Sequence, residues 1–254
     1  EFMSSDWSSD VCSSDLLVCG SSIGAIHAAA IGAGLTAAQL EDLWRSVPRE
    51  RLRTFRPGRM LRRLLSSEAP FSLSGAESIR AILKREIDFH RLRRSDTAVV
   101  VAAADLKAAE TVYFTNEQID ADHIVASAAA PVFAPWQTAA GRTCFDGGLM
   151  ANTPILPALS MGAQEIVAVL LSPAPTPGRP LPRSFWKISE TAFELMLAGP
   201  FQAAIEAYRA AGGRLPEIHV IAPPQMLGFT SLGNYSRRQV DRLIAEGYDA
   251  ARRV

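Results

Sequence analysis

The chain has 254 residues, 48% of them apolar, with 26 Lys+Arg against 26 Asp+Glu. That length supports one large core without covalent staples, and the balanced charge exerts no general pull toward nucleic acid. Three cysteines (Cys12, Cys19, Cys144) without C-x-x-C spacing argue against a disulfide framework or zinc site and fit a reducing compartment, and no apolar run is long enough to span a bilayer.

In chain order, residues 1–15 come first, rich in Ser and Asp and without helical or strand period. They lack the basic and apolar regions of a signal peptide. "DVCSSDL" back-translates readily to a string resembling a sequencing adapter. Residues 1–15 are therefore expected to be a non-native or disordered segment, and 16–254 the folded domain. Leu16–Cys19 reads as a buried strand. Ser22–Ala33 is Ala-rich with Gly32 and Gly34 at its end, the pattern of a helix with a glycine stop. Thr36 caps a second helix to about Val47, and Pro57-Gly58 breaks the stretch beyond it.

Ser74 with Glu77 has capping-box spacing and opens a helix to about Ile87. Thr97–Ala104, "TAVVVAAA", reads as a central strand and Thr111–Thr115 as a second. Asp120–Ala130 reads as a helix stopped before Pro131. Arg142–Phe145 leads into Asp146-Gly147-Gly148. Thr153–Met161 reads as helical and Glu165–Leu171 as a buried strand. A Pro-rich loop follows at Ser172–Pro182, then two helices, Phe185–Leu197 and Pro200–Ala211, a strand at Glu217–Ala222, and a final helix capped by Ser236. Strands alternating with helices predict an α/β layer fold with a mostly parallel sheet.

"LLVCGSSIGA" contains G-x-S-x-G between an apolar strand and an Ala-rich helix. Such glycines permit a tight turn with the serine at its apex, and the helix N-terminus favours developing negative charge. On this reading Ser22 is a nucleophile, Gly20 and Gly24 shape the elbow, and the Ile23 N–H is an oxyanion donor; the alternative is an ordinary turn serine. A serine nucleophile needs a base. The chain has four histidines. His27 lies five residues past Ser22 and points to another side, His90 follows a helix end in an Arg-rich loop, and His123 sits at a polar helix start. His219 has the chain order of a triad histidine but lies inside an apolar strand, where a packed core residue is the ordinary reading. Asp146, at a strand end before Gly147 and Gly148, is the better partner, provided burial strengthens it as a base. Its alternative is a turn aspartate.

Together "LLVCGSSIGAIHAAAIGAGL", "IVASAAAPVFAPW" and "FDGGLMANTPILPALSMGAQEIVAV" resemble the patatin-like phospholipase family, over most of Leu16 to about Leu171. The resemblance implies a three-layer α/β/α fold and a lipid acyl hydrolase with Ser22 as nucleophile and Asp146 as base. It implies no metal for the dyad and no cofactor. The family's upstream strand and Gly-rich oxyanion loop have no counterpart before Gly20, so the N-terminal strand is expected to be missing and activity to be weak or absent. Expected partners are a lipid or small ester substrate and no nucleic acid. The eight arginines from Arg45 to Arg63 form an expected peripheral membrane contact of a cytoplasmic protein, or else a solvated surface. "FELMLAGPF" reads as an apolar lid, an acyl-chain wall or plain core. A catalytically impaired lipid-binding module and a Ser-His-Asp hydrolase using His219 are the rival readings.

Overall fold

The computed structural model describes residues 16–46, 74–131, 134–173, 178, 181–225 and 236–254. Most of the arginine-rich stretch, Pro57-Gly58 and the segment before Leu16 lie outside them.

The centre is β2 (Ala98–Asp105), all eight of whose residues are buried. Its unbroken run of Val and Ala suits a strand covered on both faces. β1 (Leu17–Ser21) pairs with it in parallel, Leu17 opposite Ala98 and Ser21 opposite Ala102. β3 (Glu110–Thr115) returns antiparallel against Val100–Asp105. β5 (Arg142–Asp146) pairs antiparallel with Ala103–Asp105 and with β4 (Gln137–Ala139). β6 (Glu165–Val169) and β7 (Glu217–Ile221) form a separate parallel pair. The fold is α/β/α: parallel pairing lies at β1–β2 and β6–β7, and β3, β4 and β5 add antiparallel strands.

Helix α1 (Ile23–Gly32) lies on β1 and β2 with Ala25, Ala28, Ala29 and Ala30 buried. Alanine and glycine allow this close approach: a Cβ on Gly32 would run into Val99 and Leu92. α2 (Ala37–Ser46) is amphipathic and buries Leu43. α3 (Ser74–Glu86) and α4 (Phe89–Arg93) follow, the latter capped by the Asp88 carboxylate. α5 (Ala121–Ser127) packs on β2, β4 and β5 and starts with a capping box between Asp120 and His123. It ends at Ser127 rather than running to Ala130. A short helix that was not expected, α6 (Gly148–Ala151), follows, and the helix expected at Thr153–Met161 is the shorter α7 (Leu156–Ser160).

The two helices expected around Pro200 are one, α8 (Phe185–Ala210), which carries the proline inside it. A mid-helix proline removes one hydrogen bond and costs about 3 kcal/mol. Here Phe201, Ala204, Ile205 and Tyr208, immediately beyond it, pack with β6 and β7 in a second core, and that burial offsets the local cost. α9 (Arg237–Ala251) closes the chain, its N-terminus capped by Ser236, whose hydroxyl accepts from Gln239 N–H at 3.3 Å. Arg45 binds Glu41 and Asp241, which joins α2 to α9.

Candidate active site

Strand pairing along β2 assembles the site. β3 covers one edge of β2 over Val100–Asp105. β1 pairs over Ala98–Ala102 and β5 over Ala103–Asp105, so both must share the opposite edge, end to end. Ser21 stands opposite Ala102 and Asp146 opposite Ala103. Ser22, one residue beyond β1, therefore meets the last residue of β5 head on.

Ser22 has φ 56° and ψ −122°, one of three non-glycine residues with positive φ among those described. Such a conformation costs a non-glycine residue of order 1–3 kcal/mol and persists where surrounding contacts enforce it. Here the contacts can be named. The Ser22 N–H donates to Ser127 Oγ at 3.0 Å. Ser127, wholly buried, donates its own hydroxyl to the Ala102 carbonyl at 2.6 Å. The Ser127 carbonyl accepts from Gly147 N–H at 3.1 Å, and the Ala129 carbonyl accepts from Asp146 N–H at 3.0 Å. One serine thus ties the elbow, β2 and the aspartate loop together. It lies in the quoted stretch "IVASAAAPVFAPW", but the sequence assigns it no such duty; its signal is a polar residue alone in a run of small ones at a helix end.

The Ser22 hydroxyl donates to Asp146 Oδ2 at 2.6 Å. The other carboxylate oxygen, Oδ1, accepts from Gly148 N–H at 2.7 Å. Asp146 is 6% exposed. Burial pushes its pKa above the ordinary carboxylate value, and the bonds from Ser22 and Gly148 pull partly the other way. Ile23 follows at the start of α1, where the first N–H groups have no intrahelical acceptor.

The glycines differ in their reasons. A Cβ on Gly20 would collide with the Gly24 backbone, and one on Gly147 with the Ala102 carbonyl and the Ser21 hydroxyl. A Cβ on Gly148 would crowd Asp146 Oδ1 at 2.9 Å. Among the described residues nothing stands where a Cβ on Gly24 would be, so the packing there does not require glycine.

The histidines are engaged elsewhere. His27 Nε2 accepts from Trp44 Nε1 at 2.6 Å, and burial lowers the pKa of the ring. His123 pairs with Asp120, and His90 lies in α4. His219, half-buried on β7, holds its Nε2 3.4 Å from Glu165 and 3.5 Å from Glu217, both residues of its own two-stranded sheet. Cys19, three residues ahead of Ser22, is desolvated and its thiol pKa rises to about 12, so it stays a thiol. Among the described residues no three His, Cys, Asp or Glu side chains are grouped to hold a metal ion, and no helix is long and apolar enough to cross a membrane.

A buried carboxylate and an alcohol at a strand-to-helix turn can exchange a proton, and the adjacent helix terminus can receive an anion. A family model described as "Patatin-like phospholipase" matches residues 16–159, more than half of the chain and the whole of this site. No curated protein matches the chain.

Proposed function

The chain belongs to the patatin-like phospholipase family, and from that premise we propose that it hydrolyses acyl esters of lipids with Ser22 as nucleophile and Asp146 as base. The observation that carries this reading is the 2.6 Å bond between Ser22 Oγ and the buried Asp146 carboxylate.

In the first half-reaction Ser22 Oγ attacks the ester carbonyl carbon as its proton passes to Asp146 Oδ2. The carbonyl oxygen becomes an oxyanion beside the Ile23 N–H at the α1 N-terminus. The tetrahedral adduct collapses, the C–O bond to the alcohol breaks, and Asp146 gives its proton to the departing alkoxide. An acyl-Ser22 remains. In the second half-reaction a water gives a proton to Asp146 and attacks the acyl carbon. Collapse releases the fatty acid, and the proton returns to Ser22. Gly148 N–H on Oδ1 keeps Oδ2 aimed at the reacting hydroxyl throughout.

His219 is a weaker partner, since its Nε2 lies 3.4 Å from Glu165 and 3.5 Å from Glu217 on its own two-stranded sheet. A fluorophosphonate probe tests the proposal. The unsubstituted chain is expected to label and Ser22→Ala is not. Asp146→Asn should lose ester hydrolysis while His219→Ala keeps it. Labelling that survives Ser22→Ala would end the proposal, and an unsubstituted chain that does not label would put the impaired lipid-binding reading in its place.

A further inference from the structure

Helix α8 changes character at Pro200. Beyond it, Phe201, Ala204, Ile205 and Tyr208 face the second core, while Gln202, Glu206 and Arg209 face water. Ahead of it, Phe185, Ile188, Ala192, Leu195 and Met196 recur at helical spacing on one stripe, and that stripe faces outward. Phe185 is 74% exposed, Leu195 63% and Met196 44%. Glu194, on the opposite side of the helix, is buried. The amphipathic order is inverted, and the apolar stripe has no covering among the described residues.

Three further observations identify what would cover it. Trp186 and Leu181 are exposed beside the stripe at 69% and 89%, with the Phe185 and Trp186 rings in edge contact. The exposed cations Arg183 and Lys187 flank this end of the helix, Lys187 with its Nζ 3.7 Å from Glu190 Oε2 in a solvent-exposed pair that lipid phosphate can replace. Aromatic and aliphatic side chains bordered by cations are the composition of helices that lie in the headgroup layer of anionic bilayers. Finally, α8 packs on α6, which begins two residues after Asp146 and exposes Leu149 and Met150. Helix α8 thus packs beside the element that follows Asp146.

We propose that the outward face of the first half of α8, Phe185 to Met196, docks this protein on an anionic lipid surface beside the Ser22–Asp146 site. The proposal rests on the reading of the chain as a lipid acyl hydrolase and adds the surface by which it meets its substrate. The aliphatic and aromatic side chains enter the acyl boundary, and Arg183 and Lys187 stay at the phosphates. The contact differs from the arginine-rich stretch, of which Arg45 is already bound to Glu41 and Asp241.

The test separates docking from chemistry. Binding is read by co-sedimentation with phosphatidylcholine vesicles, with and without phosphatidylglycerol, using the full chain carrying Ser22→Ala so that hydrolysis cannot interfere. Adding Phe185→Ser, Ile188→Ser and Leu195→Ser together is expected to lower the partition coefficient at least about tenfold. Arg183→Glu with Lys187→Glu should lower binding to the anionic vesicles alone. With Ser22 intact, the triple variant should hydrolyse a soluble short-chain ester as fast as the parent, which also shows that it folds. Unchanged vesicle binding by the triple variant overturns the proposal. So does a parent dimer that the triple variant converts to monomer without loss of vesicle binding, since a second copy then covers the stripe. Absence of Ser22-dependent ester hydrolysis, with vesicle binding still lost in the triple variant, would refute the hydrolase reading and leave the docking surface standing.

Discussion

The Ser127 hydroxyl accepts the N–H of Ser22, 105 positions away in the chain, while donating to the Ala102 carbonyl. The bond holds Ser22 at a backbone angle that a serine does not adopt unaided. The positive φ of the elbow is therefore a tertiary property, supported by a side chain from α5.

Ser127→Ala removes that acceptor and leaves the Ala102 carbonyl short of a donor. The cost expected for such a buried polar loss is about 1–3 kcal/mol, read by urea denaturation. The rate of fluorophosphonate labelling at Ser22 should fall as well. A variant that loses stability but labels at the parent rate would reduce Ser127 to a packing residue.

Ser22→Ala and Ser22→Gly both delete the hydroxyl, and both should abolish hydrolysis. They differ at the backbone, where glycine tolerates the positive φ and alanine does not. Glycine is accordingly expected to be the more stable of the two by about 1 kcal/mol in matched denaturation curves. Equal stability, or a more stable alanine variant, would show that the elbow is unstrained.

As the proposed base, Asp146 is expected to set the pH behaviour. Its folded pKa lies above the ordinary carboxylate value because burial outweighs the bonds from Ser22 and Gly148. On the proposed mechanism the ionised form is the base, so the acid limb of the pH–rate profile should lie above the range of an exposed aspartate and vanish with Asp146→Asn. For stability the sign is opposite to that of a salt-bridged carboxylate. Between the unfolded and the folded pKa the native state holds a proton that the unfolded state lacks, so stability falls as pH rises through that window. At neutral pH the charge is buried, and Asp146→Asn is expected to be at least as stable as the parent while losing roughly 10²–10⁴ in rate. Denaturation at pH 4 and pH 7 checks both signs.

Gly20 and Gly24 occupy equivalent places in G-x-S-x-G yet should respond differently. Gly20→Ala drives a methyl into the Gly24 backbone and is expected to cost about 1–3 kcal/mol or prevent folding. Gly24→Ala meets open space and should fold normally, within about 0.5 kcal/mol of the parent. Thermal unfolding of the two variants decides the matter.

Local rules made much of this protein legible from its residues. The apolar run before Gly20, the Ala-rich helix after Ser22 and the fully buried Val/Ala strand each satisfy a short-range constraint, and each forms the expected type of element, although the strand before Gly20 is only partly buried. The Asp146-Gly147-Gly148 turn was also readable, because close backbone approach demands small residues there. What the residues alone could not decide is non-local. That β1 and β5 meet end to end on one edge of β2, bringing Ser22 to Asp146, follows from strand pairing between segments 124 positions apart. That Ser127 holds the elbow depends on the same pairing. Pro200 reads locally as a helix break, yet the burial of Phe201, Ile205 and Tyr208 against a second sheet outweighs the lost hydrogen bond and keeps α8 whole. The outward apolar stripe of that helix is equally a tertiary fact: periodicity shows that an apolar face exists, and only the packing of its neighbours decides whether water meets it.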